Sequence, residues 1–201
     1  EVRARAIAYY SASAMEYCEE TSAFDVGELY LPFIKYLSAG AHILDLGCGS
    51  GRDSKAFREM GYKVTAIDGT AEVAAWASAF TGHPVAVKSF HDIDYKEEFD
   101  GVWASASLLH CHRQQLRGII VLILESLKEK SVAYMSFKYG EASLVDGRGR
   151  QFTNYTTQSL RGLLTDLVNA EILEIWDSEM LLRGQPQKWT HAIIRKIGEQ
   201  V

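Results

Sequence analysis

Three glycines at alternate positions follow a short apolar run that ends in an acid. The run Ile43–Asp45 leads through one leucine to Gly47, Gly49 and Gly51. Glycine lacks a Cβ, so it adopts positive φ and allows a ligand to lie directly on the backbone. A plain glycine-rich turn between a strand and a helix would show the same residues, but the regular spacing favours a ligand site.

The spacing of these glycines argues against two common nucleotide-binding turns. The dinucleotide pattern G-x-G-x-x-G needs a third glycine, and its position falls on Arg52 when counted from Gly47 and on Ser54 when counted from Gly49. No Gly-Lys-Ser/Thr follows, as a phosphate-binding loop would require. The G-x-G-x-G turn therefore suits a nucleoside-like ligand.

A second acid lies where the next strand should end. Asp68 closes the apolar segment "VTAID", 17 positions after Gly51. An acid about 20 residues along, at the tip of the neighbouring strand, commonly accepts hydrogen bonds from ribose hydroxyls. Asp68 could equally cap the helix that begins in "DGTAE", and the two roles are compatible.

Strand-like and helical patterns alternate along the chain and must position these residues. This order predicts a doubly wound α/β fold, a mostly parallel sheet with helices on both faces. The last two strands, "EILEIWDSEML" and "WTHAIIRK", are separated only by the turn "RGQPQ" and should form an antiparallel hairpin. Predicted helices include 3–20, a second that Asp25 could cap, Arg113–Lys128 and one from Thr156; predicted strands include "VAVKSF" and "VAYMSFKYG".

Composition excludes some classes of partner. The net charge of −5 gives no help to binding a phosphate backbone, and the longest apolar run, Ile119–Leu124, is too short to cross a bilayer. The three cysteines suggest no disulfide framework, and the N-terminus does not have the pattern of a signal peptide. We expect a cytoplasmic protein without nucleic-acid or membrane partners.

The chain resembles class I S-adenosylmethionine-dependent methyltransferases. It is most similar to small bacterial enzymes of the type 11/12 domain group and, more distantly, to tellurite-resistance methyltransferases. The segments that carry the resemblance are "ILDLGCGSGRDSKAF", "GYKVTAIDGT", "FDGVWASASLLH" and "SFKYGE…GRGRQFTNY". It implies a seven-stranded sheet, a single domain over 1–201, and a helical cap over the cofactor site at 1–38. It also implies an enzyme that transfers a methyl group to a small molecule.

The resemblance also assigns residues to the cofactor. Asp45, Gly47 and Gly49 would lie beside its methionine portion, and Asp68 with Gly69 beside its ribose. Arg52 could reach the methionyl carboxylate or could be a solvated helix residue. The remaining predicted contacts are Tyr10 and Tyr17 as covering tyrosines, Phe90, His91 and Asp92 near adenine, and Ala104, Ser105 and Leu109 near the methionyl group.

His110 is the candidate general base, because it follows the fourth strand and should face the cleft. A base is needed only if the nucleophile must lose a proton during attack. A histidine at this point is also frequent in methyltransferases without an established catalytic role. The cluster His110-Cys111-His112 could suggest a metal, but nothing elsewhere matches it, so no metal is predicted.

The polar segment after the fifth predicted strand carries several cations. Lys138, Arg148 and Arg150 could attract a small anionic substrate, or they could form salt bridges with Glu141 and Asp146. Relatives usually carry "LKPGG" where this chain has "LKEKS" (127–131), which leaves the geometry of that loop open.

Two other functions remain as alternatives. A nicotinamide-dependent oxidoreductase would use a similar sheet, although the glycine spacing and the hairpin argue against it. A non-catalytic module that binds S-adenosylmethionine would share the whole cofactor site. Both a monomer and a homodimer are compatible with the sequence.

Overall fold

A seven-stranded sheet forms the centre of the computed structural model, which describes residues 2–147, 150–182 and 184–198. Within these residues the strand order is β3-β2-β1-β4-β5-β9-β8, with β9 antiparallel to β5 and β8. This confirms the predicted fold class. The strands are β1 His42–Leu46, β2 Lys63–Asp68, β3 Val85–Val87, β4 Phe99–Ala104, β5 Leu127–Lys138, β8 Ala170–Leu182 and β9 Gln185–Lys196.

Helices cover both faces of this sheet. They are α1 Val2–Ala12, α2 Ala14–Ser22, α3 Gly27–Ile34, α4 Arg52–Glu59, α5 Ala71–Thr81, α6 Arg113–Ser126 and α7 Thr157–Thr165. Alternate residues of a strand point to opposite faces, so β1 sends Leu44 to one core cluster and Ile43 to the other. The first cluster packs against α6 and α7, and the second packs against α3 and Phe57 of α4.

Several predicted boundaries differ from the structure. The predicted helix 3–20 is two helices, because Ser13 leaves helical geometry with φ −120° and ψ 16°. The strand "VAVKSF" ends at Val87, because the Ser89 side chain accepts a hydrogen bond from His91 N and starts a 3-10 turn, Phe90–Asp92. Asp25 does bond near the start of α3, where its Oδ1 accepts from Gly27 N at 3.1 Å.

The unusual "LKEKS" segment belongs to a strand and not to a loop. Helix α6 ends at Ser126, two residues before the predicted end, and β5 begins at once. Phe99 of β4 pairs with Leu127, yet Gly101 pairs with Val132, so the intervening residues bulge, with Lys130 at φ +63°. The departure from the pattern of relatives is thus absorbed at the sheet end away from the glycine turn.

A second, two-stranded sheet was not predicted. It pairs β6 Ser143–Val145 with β7 Gln151–Thr153 in antiparallel register, within the polar segment that carries the cations. The hairpin of β8 and β9 is tighter than "RGQPQ" suggested, since β9 already begins at Gln185.

None of the helices in the part of the chain that the structure describes has the length and apolar character needed to cross a bilayer.

A buried carboxylate ties α4 to the sheet. Asp53 in the first turn of α4 accepts hydrogen bonds from the Tyr30 hydroxyl and the Trp103 indole N–H, each at 2.7 Å, and pairs with Arg52 at 2.7 Å. Burial opposes its ionisation, but the Arg52 guanidinium and these hydrogen bonds outweigh burial and lower the pKa of Asp53. The Trp103 ring in turn stacks on Tyr134 at 3.9 Å.

Replacing this carboxylate should destabilise the fold. We expect Asp53→Asn to lower the free energy of unfolding by about 2–3 kcal/mol, because the change leaves Arg52 unpaired and at least one buried donor without an acceptor. Urea unfolding followed by circular dichroism would measure it. Asp94→Asn, which removes a solvent-exposed ion pair with Lys88, is the control and should change little. Equal stability of the two variants would contradict this account.

Candidate functional site

The three glycines form the turn between β1 and α4 with left-handed backbone. Their φ angles are +73° at Gly47, +54° at Gly49 and +78° at Gly51. The N–H groups of Gly47 and Cys48 donate to the Ile67 carbonyl, which holds the turn against the end of β2. A Cβ at Gly47 would lie 2.7 Å from the Ser107 Cβ, so the turn excludes side chains for steric reasons as well.

Asp68 is joined directly to this turn. Its Oδ2 accepts from Gly49 N at 3.0 Å and its Oδ1 accepts from Thr70 N at 2.9 Å. Burial raises the pKa of Asp68, and the backbone hydrogen bonds oppose that rise. Thr70, rather than Asp68, occupies the cap position of α5. The glycine turn and Asp68, the acid predicted to bind ribose, therefore lie together, because the parallel neighbours β1 and β2 end at the same edge of the sheet.

Two adjoining cavities open at this edge of the sheet. The larger, of about 380 Å³, is called the large chamber below, and the smaller has about 130 Å³. Gly47, Gly49, Tyr10, Tyr17 and His110 line both. Of the other predicted residues, Asp45, Arg52, Ser105 and Leu109 line the large chamber, and Asp68, Gly69, Phe90 and His91 line the smaller cavity.

Two predicted residues line neither cavity. Ala104 is fully buried within the core cluster at the end of β4. Asp92 is exposed at the end of the 3-10 turn.

Tyrosines from the N-terminal helices lie across the glycine turn. The Tyr10 and Tyr17 rings meet edge to face at 4.8 Å, and a Cβ at Gly49 would lie 2.9 Å from the Tyr17 hydroxyl. Helices α1 and α2 both pack on α5. The pair of rings thus stands where the two cavities meet.

His110 is held by two hydrogen bonds. Its Nδ1 lies 3.0 Å from the Gln151 carbonyl and its Nε2 lies 2.9 Å from the Tyr10 hydroxyl. A carbonyl only accepts, so Nδ1 carries the proton and Nε2 accepts from Tyr10. Burial, assisted by the charges of Arg150 and Lys138, lowers the pKa of His110 to about 4 despite the bond to Gln151. The imidazole is therefore neutral at pH 7, and its Nε2 accepts the hydrogen bond from Tyr10.

The two neighbouring histidines have separate roles. His112 caps α6, where its side chain accepts from Gln114 N. Among the described residues there is no group of three His, Cys, Asp or Glu side chains that could hold a metal ion.

Asp45 lies beside Asp53 under the glycine turn, and the two acids differ in charge state. Ser54 Oγ donates to Asp45 at 2.5 Å. Burial, followed by the charge of Asp53, raises the pKa of Asp45 to about 8. Asp53 stays ionised because Arg52 pairs with it. Arg52 also reaches the Thr21 carbonyl at 3.4 Å, so the guanidinium is a fixed part of the chamber wall and not a solvated helix residue.

Two of the three predicted cations also line the large chamber. Arg150 pairs with Asp146 at 2.7 Å, and its guanidinium carbon lies 4.5 Å from the centre of the Tyr9 ring. Lys138 Nζ lies 3.8 Å from the centre of the Phe152 ring. The expected partner Glu141 instead accepts from the Thr156 hydroxyl. Arg148 lies outside the described residues.

Sequence reasoning missed several residues of the chamber. Asp53, His191 and Trp189 line it, as do Phe24 and Met180. Only Asp53 carried a sequence signal, since it adjoins Arg52 and follows the last glycine at a helix start. Phe24 lies in the loop between α2 and α3, and Met180, Trp189 and His191 lie in the terminal hairpin, so only tertiary packing brings them to the turn.

The chain matches a known family over 43–130, the family described as "Methyltransferase domain". The matched segment includes the glycine turn, Asp68 and His110. This match confirms the predicted resemblance to methyltransferases and the prediction of an enzyme of that class. No curated protein matches the chain.

Solved structures of methyltransferases share the fold. A SAM-dependent methyltransferase from Methanosarcina mazei is 23% identical with a TM-score of 0.73, over 82% of this chain and 96% of its own. The 1,6-didemethyltoxoflavin-N1-methyltransferase of Burkholderia thailandensis is 19% identical with a TM-score of 0.80, over 98% of this chain and 89% of its own. The magnesium protoporphyrin IX methyltransferase of Synechocystis PCC 6803 is 13% identical with a TM-score of 0.72, over 96% and 97%.

The raised pKa of Asp45 predicts a pH dependence of stability. An acid whose pKa is about 4 in the unfolded chain and about 8 in the folded one stabilises the fold fully at low pH. That contribution is lost as pH rises from the unfolded towards the folded pKa. Asp45→Asn keeps an acceptor for the Ser54 hydroxyl but cannot ionise. We therefore expect this variant not to lose stability through residue 45 as the pH rises.

The measurement is urea unfolding of both proteins at about pH 5 and about pH 8. Relative to the variant, the natural protein should lose about 1 kcal/mol or more over this interval. The difference between the two proteins isolates the contribution of Asp45, because the substitution changes no other side chain. Parallel pH profiles would show that Asp45 is ionised in the folded protein.

Proposed function

We propose that this chain transfers the methyl group of S-adenosylmethionine to a small-molecule acceptor by in-line displacement. The observation that carries the proposal is the hydrogen bond from Gly49 N to Asp68, at the place where the two cavities adjoin. One cavity has the acid and ring suited to a nucleoside, and the other has room for a second reactant. Among the structural relatives, the Synechocystis enzyme was solved with S-adenosylmethionine, and the Burkholderia enzyme with S-adenosylhomocysteine and its small-molecule substrate.

The residues of the smaller cavity suit the adenosine portion. Asp68 presents a carboxylate to the ribose hydroxyls, and the Phe90 ring offers an apolar surface to adenine. Gly47 and Gly49 allow the ligand to lie on the backbone, where a side chain would collide with Ser107 or Tyr17. We assign the methionine portion to the part of the large chamber formed by Asp45, Ser105 and Arg52.

Residues 1–38 would act as the cap of this site within a single domain. Tyr10 and Tyr17 would exclude water from the reacting groups, which strengthens electrostatic interactions there. The sulfonium of the bound cofactor supplies an electrophilic methyl group. The protein's main task is then to hold the acceptor atom in line with that methyl group.

His110 is proposed as the proton acceptor, working through Tyr10. Burial raises the pKa of Tyr10, and Arg150 opposes that rise, so the hydroxyl keeps its proton and donates it to Nε2 of His110. When the acceptor atom gives up its proton on forming the new bond to carbon, the Tyr10 oxygen receives it. Tyr10 passes its own proton to His110. An acceptor that is already deprotonated at the reacting atom would bypass both residues.

Cofactor binding is the first test. By calorimetry we expect S-adenosylmethionine and S-adenosylhomocysteine to bind with micromolar affinity and NADH not to bind. Asp68→Ala should weaken S-adenosylhomocysteine binding by about 1–3 kcal/mol, the scale of a lost charge-assisted hydrogen bond. Asp94→Ala, a change at an exposed acid, is the matched control. Unchanged affinity in Asp68→Ala would remove the ribose assignment, and NADH binding would favour an oxidoreductase.

Turnover separates an enzyme from a binding module. Protein incubated with methyl-labelled S-adenosylmethionine and a small-molecule cell extract should transfer label to an extractable product. Tyr10→Phe keeps the ring and removes the relay hydroxyl, and His110→Ala removes the base. Both should lose most transfer yet keep S-adenosylhomocysteine binding. Full transfer in both variants would disprove the relay, and none in the natural protein would favour a module.

A further inference from the structure

One wall of the large chamber is rich in hydrogen-bond donors. Lys138 at the end of β5 is the direct cross-strand partner of Trp189 in β9. Phe152 of β7 lies between two cations, with Lys138 Nζ at 3.8 Å and the Arg150 guanidinium carbon at 5.0 Å from its ring centre. All four side chains line the chamber. This group is called the donor wall below.

The charges of the donor wall do not balance. Arg150 is paired with Asp146, but no carboxylate among the described residues lies within ion-pair distance of Lys138 Nζ. Lys138 is half-buried, and burial followed by the charge of Arg150 lowers its pKa, while the charge of Asp146 opposes that shift. Because Asp146 is paired with Arg150, Lys138 is a partly desolvated cation without a directly paired carboxylate, and an anion bound in the chamber would offset the cost of that desolvation.

A second donor in the wall is also unsatisfied. The Trp189 indole N–H is buried and has no hydrogen-bond partner among the described residues. A buried donor left unpaired normally costs free energy and calls for an explanation such as a ligand. A cation without a carboxylate at ion-pair distance and an unpartnered N–H on its cross-strand neighbour together suit a monoanion with two acceptor oxygens.

The rest of the chamber restricts the body of that ligand. Away from the cofactor side, apolar side chains come from the loop between α2 and α3, from α3 and from the terminal hairpin: Phe24, Val26, Leu29, Met180 and Leu182. The carboxylates of Glu16 and Glu20 in α2 also line the chamber. The chamber has a volume of about 380 Å³, and in the proposed function the methionine portion of the cofactor takes part of it. Only a small molecule fits in the remainder.

We infer that the methyl acceptor is a small, mostly apolar molecule with one carboxylate, and that Lys138 binds this carboxylate with help from Trp189. The inference rests on the proposed function, since it names the substrate class of the same site. It also gives Lys138 a role in specificity, because an uncharged analogue would leave the ammonium without a partner.

The test uses two matched pairs of probes, benzoate with benzamide and phenylacetate with phenylacetamide. Ligand-observed NMR would measure their affinities for the whole chain, with and without saturating S-adenosylhomocysteine. We expect each carboxylate to bind at least about tenfold more tightly than its amide, as for a hydrogen bond to a charged group. Lys138→Met should abolish this preference, and Lys138→Arg should keep most of it.

Lys188→Met is the control, because Lys188 adjoins Trp189 in the chain but is paired with Asp177 and is not part of the chamber lining. It should keep the natural preference. Equal affinity for carboxylates and amides, or a preference that survives in Lys138→Met, would overturn the inference. Failure of S-adenosylhomocysteine to bind would instead reject the proposed function, and the titrations without it would still decide whether Lys138 holds an anion.

Discussion

The buried carboxylate of Asp53 fixes the edge of the sheet on which the whole site is built. Its three hydrogen-bonding partners come from α3, α4 and β4, so one side chain sets the positions of three elements. Because α4 begins directly after the glycine turn, the turn takes its place from the same contact. The ion pair with Arg52 offsets the desolvation of the carboxylate and also fixes a guanidinium in the chamber wall.

The two aspartates under the turn have the same side chain but differ in protonation state because their surroundings differ. Asp53 has a cation and two neutral donors and is ionised, whereas Asp45 has the Ser54 hydroxyl and a charged neighbour. Like charges in a dry site cannot both be ionised at low cost, so the proton stays on the acid that lacks a cation. Of the two acids that line the chamber under the turn, only Asp53 therefore carries a negative charge. The lower negative charge suits the anionic acceptor that we infer to bind at Lys138.

Elements outside the central sheet close the site. Tyr10 comes from α1, yet it contacts His110 after β4 and Arg150 before β7. The small sheet of β6 and β7 supplies the Gln151 carbonyl that fixes the tautomer of His110. The orientation and the tautomer of His110 are thus defined by contacts with α1 and β7, neither of which belongs to the central sheet.

The sequence alone determined the doubly wound sheet, the terminal hairpin and the pairing of the glycine turn with Asp68. These depend on local features: periodicity of apolar residues, the steric need for glycine at positive φ, and the rule that parallel strands end at one edge. Tertiary structure alone decided the bonds of Asp53 to Tyr30 and Trp103, the bond between Tyr10 and His110, and the juxtaposition of Lys138 with Trp189. Each of these joins residues separated by tens of positions or more, and strand register and helix packing, which no local pattern encodes, bring them together.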